Sequence, residues 1–188
     1  MAQNNQNNRI SVIIVDDHEV VRNGIRSYIE TVKEFQVVGE AASGEAALKL
    51  VSDYIPDIVL LDLIMPGMDG VETTRRIKQI SPRTQVVVLT SYHEDAHIFP
   101  ALKAGAISYI LKDMKMEKLV EALHRAAQKE VTLHPLVAAR VLQNIRSEDG
   151  EEQPLFTELT ERELDVLRLI ANGIMASINQ QIDFDTAA

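Results

Sequence analysis

Four polar groups in this sequence stand directly after short apolar runs. Asp16 and Asp17 follow Ile10 to Val15, and Asp62 follows Asp57 to Leu61. Thr90 and Ser91 follow Gln85 to Leu89, and Lys112 follows Ala106 to Leu111. Brought together, these residue types have a restricted chemistry. Three clustered carboxylates repel one another, and one stays protonated unless a cation intervenes. Carboxylate oxygens suit Mg2+, or Mn2+ in its place. A carboxylate can also attack phosphorus and become an aspartyl phosphate. The transferred phosphoryl group then needs neutralisation at its equatorial oxygens. The cation, the Lys112 ammonium and the Thr90 hydroxyl would supply it. Asp62, alone at its strand end, is the natural nucleophile, and Asp16 and Asp17 are the natural metal holders.

Whether these groups meet depends on the elements that carry them. The runs at 10–15, 57–61 and 85–89 are apolar, as strands buried on both faces are. Residues 36–40 and 106–111 are also strand-like. Helical spacing lies between them: Val21, Ile25, Tyr28, Ile29 and Val32, then Ala47, Leu50, Val51 and Tyr54, and later Met116, Leu119, Val120 and Leu123. Asp69-Gly-Val-Glu72 has capping-box spacing for a helix to Ile80. Gly105 can end a helix over 94–104. Five strands alternating with five helices predict an α/β fold, a doubly wound five-stranded parallel sheet with helices on both faces. Such sheets bind ligands at the carboxyl ends of their strands, which is where all four polar groups fall. After residue 130 the alternation stops. Pro135 starts a short helix through Ile145, and the acidic stretch from Arg146 to Phe156 reads as a linker.

Composition excludes several other classes. The chain has 188 residues, 46% hydrophobic and 25% charged, which is ordinary for a globular protein. It has no cysteine, so disulfides and thiolate chemistry are absent. No run approaches the roughly 20 apolar residues of a membrane helix. The Asn/Gln-rich lead, residues 1–8, lacks a signal-peptide core and reads as disordered. These features predict a cytoplasmic chain with no membrane partner. A net charge of −9 argues against binding nucleic acid over the whole surface.

The strand-end residues, in order and spacing, resemble those of bacterial two-component response regulators. The resemblance rests on Asp16-Asp17, on Asp62-Leu-Ile-Met-Pro-Gly-Met-Asp-Gly70, on Thr90-Ser91, and on Lys103-Ala-Gly-Ala-Ile-Ser-Tyr-Ile-Leu-Lys112. It covers residues 9–130, the receiver domain. Asp17-His-Glu-Val-Val-Arg22, Val37-Val-Gly-Glu-Ala41 and Lys112-Asp113 are similar to the NarL/FixJ-like subclass. The resemblance implies a flavodoxin-like sheet of strand order 2-1-3-4-5. It implies that Asp62 accepts a phosphoryl group from a sensor histidine kinase. It also implies that Asp17, the Asp62 carboxylate and the backbone carbonyl of Ile64 bind Mg2+, with Asp16 helping. In the family, the aromatic position held here by Tyr109 swings inward as the threonine hydroxyl moves onto the phosphoryl group. Thr90 and Tyr109 are therefore the expected switch, and a homodimer on phosphorylation is the expected assembly. Ile64 and Tyr92 are the positions expected to tune dephosphorylation, by controlling a hydrolytic water. His18 reads as a cap or rim group, because Mg2+ prefers oxygen.

Residues 131–157 read as a helix and acidic linker, and 158–188 as an output segment. Leu159 to Gly173 resembles the first helix of a LuxR-type helix-turn-helix, opened by the capping box Thr160-Glu-Arg-Glu163. The resemblance stops before the recognition helix that would enter the major groove. From Leu159 onward, Arg162 and Arg168 face five acidic residues, Glu161, Glu163, Asp165, Asp183 and Asp185. Phosphate neutralisation supplies most non-specific DNA affinity. The expectation is transcription control in which DNA binding, the family's output, is incomplete in this chain.

Three other readings compete. A phosphorylation-controlled interaction module without DNA binding fits the acidic tail. A Mg2+-dependent aspartyl-phosphate phosphatase needs a second acid two residues after its nucleophile, and Ile64 stands there. A flavin carrier needs Ser/Thr/Gly-rich phosphate loops, and the acidic cluster would repel its phosphate. The chain is thus expected to be a phospho-acceptor rather than an enzyme, with at most self-phosphorylation and self-dephosphorylation.

Overall fold

The computed structural model describes residues 9–91 and 95–147. Its elements run β1 (Ile10–Val15), α1 (Glu19–Ile29), β2 (Phe35–Ala41), α2 (Gly44–Tyr54), β3 (Ile58–Leu61), α3 (Gly70–Ile80), β4 (Gln85–Thr90), α4 (Asp95–Lys103), β5 (Ser108–Leu111), α5 (Met116–Ala127), β6 (Thr132–Leu133) and α6 (Pro135–Ser147). The strands form one parallel sheet in the order β2-β1-β3-β4-β5-β6. The expected doubly wound α/β architecture is present, with the order 2-1-3-4-5 as its body.

Every residue of β3 and β4 is buried, which explains their unbroken apolar runs. Side chains alternate across the sheet. Val12, Ile14, Ile58, Leu60 and Val87 pack with Ile25 and Ile29 of α1 and Leu119 and Leu123 of α5. Ile13, Val15, Val59, Leu61 and Val86 pack on the other face with Ala47 and Val51 of α2 and Ile77 of α3. Each face alone would leave the other wet, so helices must cover both.

The sixth strand departs from the sequence expectation. Lys129 adopts a left-handed conformation (φ 62°) after α5. The Glu130 amide then donates to the Arg125 carbonyl at 2.9 Å, and the chain reverses. Thr132 and Leu133 come alongside Ser108 and Tyr109. No glycine marks this turn, and two half-buried residues carry no period. Tyr54 also departs: it has the spacing of the buried face of α2 but is 57% exposed. The helix ends there, at Ile55 with φ 46°. A second unit begins at Pro135, and α6 carries Val137, Ala138 and Val141 along one face. The segment resembling a helix-turn-helix lies outside the described residues. No helix among the described residues is long and apolar enough to cross a membrane.

Candidate functional site

The backbone ladder continues one residue beyond each central strand and seats the site residues. The Asp16 amide donates to Ala41 O (3.1 Å), the Asp62 amide to Val15 O (2.9 Å), and the Lys112 amide to Thr90 O (2.9 Å). Three polar residues thus inherit the register of the sheet. Asp16 is 2% exposed, Asp62 5% and Thr90 0%.

The side chains of Asp16, Asp62 and Lys112 converge, as the spacing predicted. Lys112 Nζ lies 2.6 Å from Asp16 Oδ2 and 2.6 Å from Asp62 Oδ2. Burial pulls the Lys112 pKa down, but hydrogen bonds to Asp16 and Asp62, with their charges, outweigh it and raise it above the ordinary ammonium range. One ammonium therefore spans two buried carboxylates. Asp62 Oδ1 and Asp17 Oδ1 are buried without a hydrogen-bond partner. Such orphaned oxygens cost about 1–3 kcal/mol each, more when charged. Three carboxylates around one ammonium leave a net charge of about −2, so a hard dication with oxygen preference fits the donor set.

The surrounding loops are built to this site. Asp69 Oδ1 caps α3 by accepting from the Glu72 amide at 2.8 Å. The Gly70 amide donates to Leu63 O at 2.8 Å. A Cβ on Gly70 would lie 2.5 Å from Asp62 O and 2.6 Å from Leu63 Cα, so only glycine allows this approach. Gly67 takes φ +83° in the same turn. Ile64 is 39% exposed there, two residues after Asp62. Tyr109 is fully buried in β5 rather than exposed at a sheet edge. Ser91 is exposed, and Tyr92 lies outside the described residues.

Of the two roles expected for His18, cap or rim group, the structure favours the rim. It occupies the N-cap position of α1 but makes no side-chain capping bond. Its Nδ1 instead lies 2.8 Å from Asp17 Oδ1 and 3.3 Å from Asp16 Oδ1. No spacing rule marks it, because its partners are its immediate neighbours. The remaining described histidines stand elsewhere: His124 Nδ1 is 3.1 Å from Val120 O, and its ring packs on Phe35.

Comparison with known proteins agrees with this geometry. Residues 12–124 match the response regulator receiver domain family. The transcriptional regulatory protein LiaR of Bacillus subtilis is 39% identical over 164 residues, covering 87% of this chain and 77% of LiaR. The response regulator protein VraR of Staphylococcus aureus is 42% identical over 173 residues, covering 92% of this chain and 79% of VraR. The crystal structure of a LuxR-family two-component response regulator from Aurantimonas superposes with a TM-score of 0.69 at 32% identity, covering 73% of this chain and 99% of that one. With the acidic pair, the lone aspartate and the lysine each at its strand end, the chain belongs to the response regulators of two-component systems, and residues 12–124 are its receiver domain.

Proposed function

We propose that Asp62 accepts a phosphoryl group from a sensor histidine kinase and that the resulting charge switches the receiver. The observation that carries this reading is the shared ammonium. Lys112 Nζ is 2.6 Å from both Asp16 Oδ2 and Asp62 Oδ2, while Asp62 Oδ1 is buried without a partner. An Asp62 oxygen bonds to phosphorus as the P–N bond of a phosphohistidine breaks, and the departing imidazole takes a proton from water. Lys112 follows the charge onto a phosphoryl oxygen, and the Thr90 hydroxyl donates to another. Asp16, Asp17, Asp62 and the Ile64 backbone carbonyl would hold Mg2+, or Mn2+, which supplies charge neutralisation at the phosphoryl oxygens.

The phosphoryl group adds about −1.5 to −2 charge at one point. It shifts a two-state element only through contacts that differ between the states. Thr90 and Tyr109 make those contacts. Ile64 and Tyr92 set how a hydrolytic water reaches the phosphoryl group. Dimerisation on phosphorylation, in the cytoplasm, then carries the signal to transcription. The named relatives are transcriptional or response regulators. The VraR match covers 173 residues, so it continues past residue 124 into the segment resembling a helix-turn-helix. The acidity of that segment favours a second reading of the output, a phosphorylation-controlled protein contact without DNA binding.

Intact-mass spectrometry after incubation with acetyl phosphate and Mg2+ tests the acceptor. Wild type is expected to gain one phosphoryl group and Asp62→Asn none. No gain in either protein would overturn the assignment.

A further inference from the structure

We propose that His18 completes the cation site as a nitrogen donor, so that the site holds divalent transition cations such as Co2+ and Zn2+ more tightly than its carboxylates alone would. The proposal rests on the cation-site reading above and adds a ligand of another class to it. His18 is not used by the phosphoryl chemistry, and it does not cap the helix it heads.

Its position is the argument. Nδ1 lies 2.8 Å from Asp17 Oδ1, yet Asp17 Oδ1 makes no hydrogen bond. The hydrogen-bond contact of Nδ1 is with Asp16 Oδ1 instead, at 3.3 Å. A cation about 2.1 Å from each, an ordinary bond length for such ligands, would see them at about 85°, near a cis pair of an octahedron. Asp16 Oδ1, 3.3 Å from the same nitrogen, would stand about 100° from it by the same arithmetic. Donor atoms of Asp16, Asp17 and His18 all lie within 4.8 Å of one another. The His18 side chain is 68% exposed, so its ring can adjust to a cation without disturbing the core.

A separate observation points to a ligand at this place. Asp62 is 5% exposed, its Oδ1 has no partner, and its Oδ2 shares the Lys112 ammonium with Asp16. That buried oxygen without a hydrogen-bond partner belongs to a carboxylate tied through Lys112 to Asp16, a member of the cluster. Oxygen donors alone would leave the site selective for hard cations. An imidazole changes that ordering, because nitrogen donors favour later first-row cations over Mg2+. The receiver would then respond to the supply of such a cation as well as to phosphorylation.

The test is metal binding by the untagged full chain at one fixed pH of about 8, where a free imidazole is neutral. Co2+ is followed by its visible absorption and Mg2+ by calorimetry, for wild type, His18→Ala and Asp17→Asn. Co2+ affinity is expected to fall about tenfold or more in His18→Ala, with Mg2+ affinity held within about twofold. Asp17→Asn is expected to weaken both cations. Equal Co2+ affinity in wild type and His18→Ala would overturn the proposal. So would an equal loss of both cations in His18→Ala, which would make His18 a positioning group for Asp17. His18-dependent Co2+ binding without any Mg2+ binding would support the nitrogen ligand and overturn the Mg2+ assignment instead.

Discussion

Lys112 separates two buried carboxylates that would otherwise face each other unscreened. Replacing it by methionine keeps most of the volume and removes the charge. Removing one partner of a buried ion pair leaves the other uncompensated, and Lys112 is only partly buried, so the expected loss is about 1–3 kcal/mol. Urea unfolding would measure it, and saturating Mg2+ is expected to restore part of the loss through mass action. Gly70 is the other sensitive position. A methyl group there meets Asp62 O at 2.5 Å and must push the backbone of Asp62. Gly70→Ala is expected to cost about 1–3 kcal/mol by overpacking. It should also slow acetyl-phosphate labelling of Asp62, and unchanged melting and labelling would refute both effects. Much of this site was legible in the sequence, because a polar residue after an apolar strand is conspicuous. Asp16, Asp62 and Lys112 stand out that way, and the structure brings them together. His18 was legible as a rim group, but the 2.8 Å approach of its ring to Asp17 was not, because spacing does not encode ring orientation.

Among the elements, α3 links the acceptor loop to the surface. Its cap Asp69 follows the turn that leaves Asp62, so the cap and Asp62 share one loop. Asp69→Ala is expected to lower stability by about 0.5–2 kcal/mol, read from a thermal or urea transition. One turn in, Glu72 is held by Arg76 at 2.7 Å and by Arg75. The hydrogen bond from Arg76, with the one from Arg75, holds the Glu72 carboxyl below its usual range despite some opposing desolvation. The folded pKa is therefore below the unfolded one. Stability from this group is present above the ordinary value of 4.5 and is lost as the pH falls through the depressed folded value. Glu72→Gln should flatten the acid limb of a stability–pH curve, slightly, because the group is solvent-exposed. An identical acid limb would show that the pair contributes nothing. The central strands were legible because burial on both faces writes unbroken apolar runs, as Ile58–Leu61 does. The ends of helices were less so: Tyr54 has the right spacing, but its helix stops beside it.

At the scale of the whole molecule, the sheet separates the two apolar clusters described above. The edge beyond β5 is closed by two residues of β6 and by the His134 amide, which donates to Tyr109 O at 2.9 Å. Nothing in the hydrophobic period after α5 marks that pairing, because Thr132 and Leu133 are half-buried and the turn before them uses Lys129 rather than glycine. A fragment of residues 9–130 would leave β5 as a bare edge. It is expected to melt several degrees below the fragment 9–134 and to associate as concentration rises. Calorimetry and sedimentation would show this, and identical behaviour of the two fragments would dismiss any contribution from β6. The practical reading concerns chimaeras that exchange one receiver for another. The splice belongs after His134, beyond β6, although the sequence pattern alone would put it near residue 130. A graft joined at residue 130 would sever the backbone of Tyr109 from its tie to the following chain, and its product is expected to melt below a graft joined after His134.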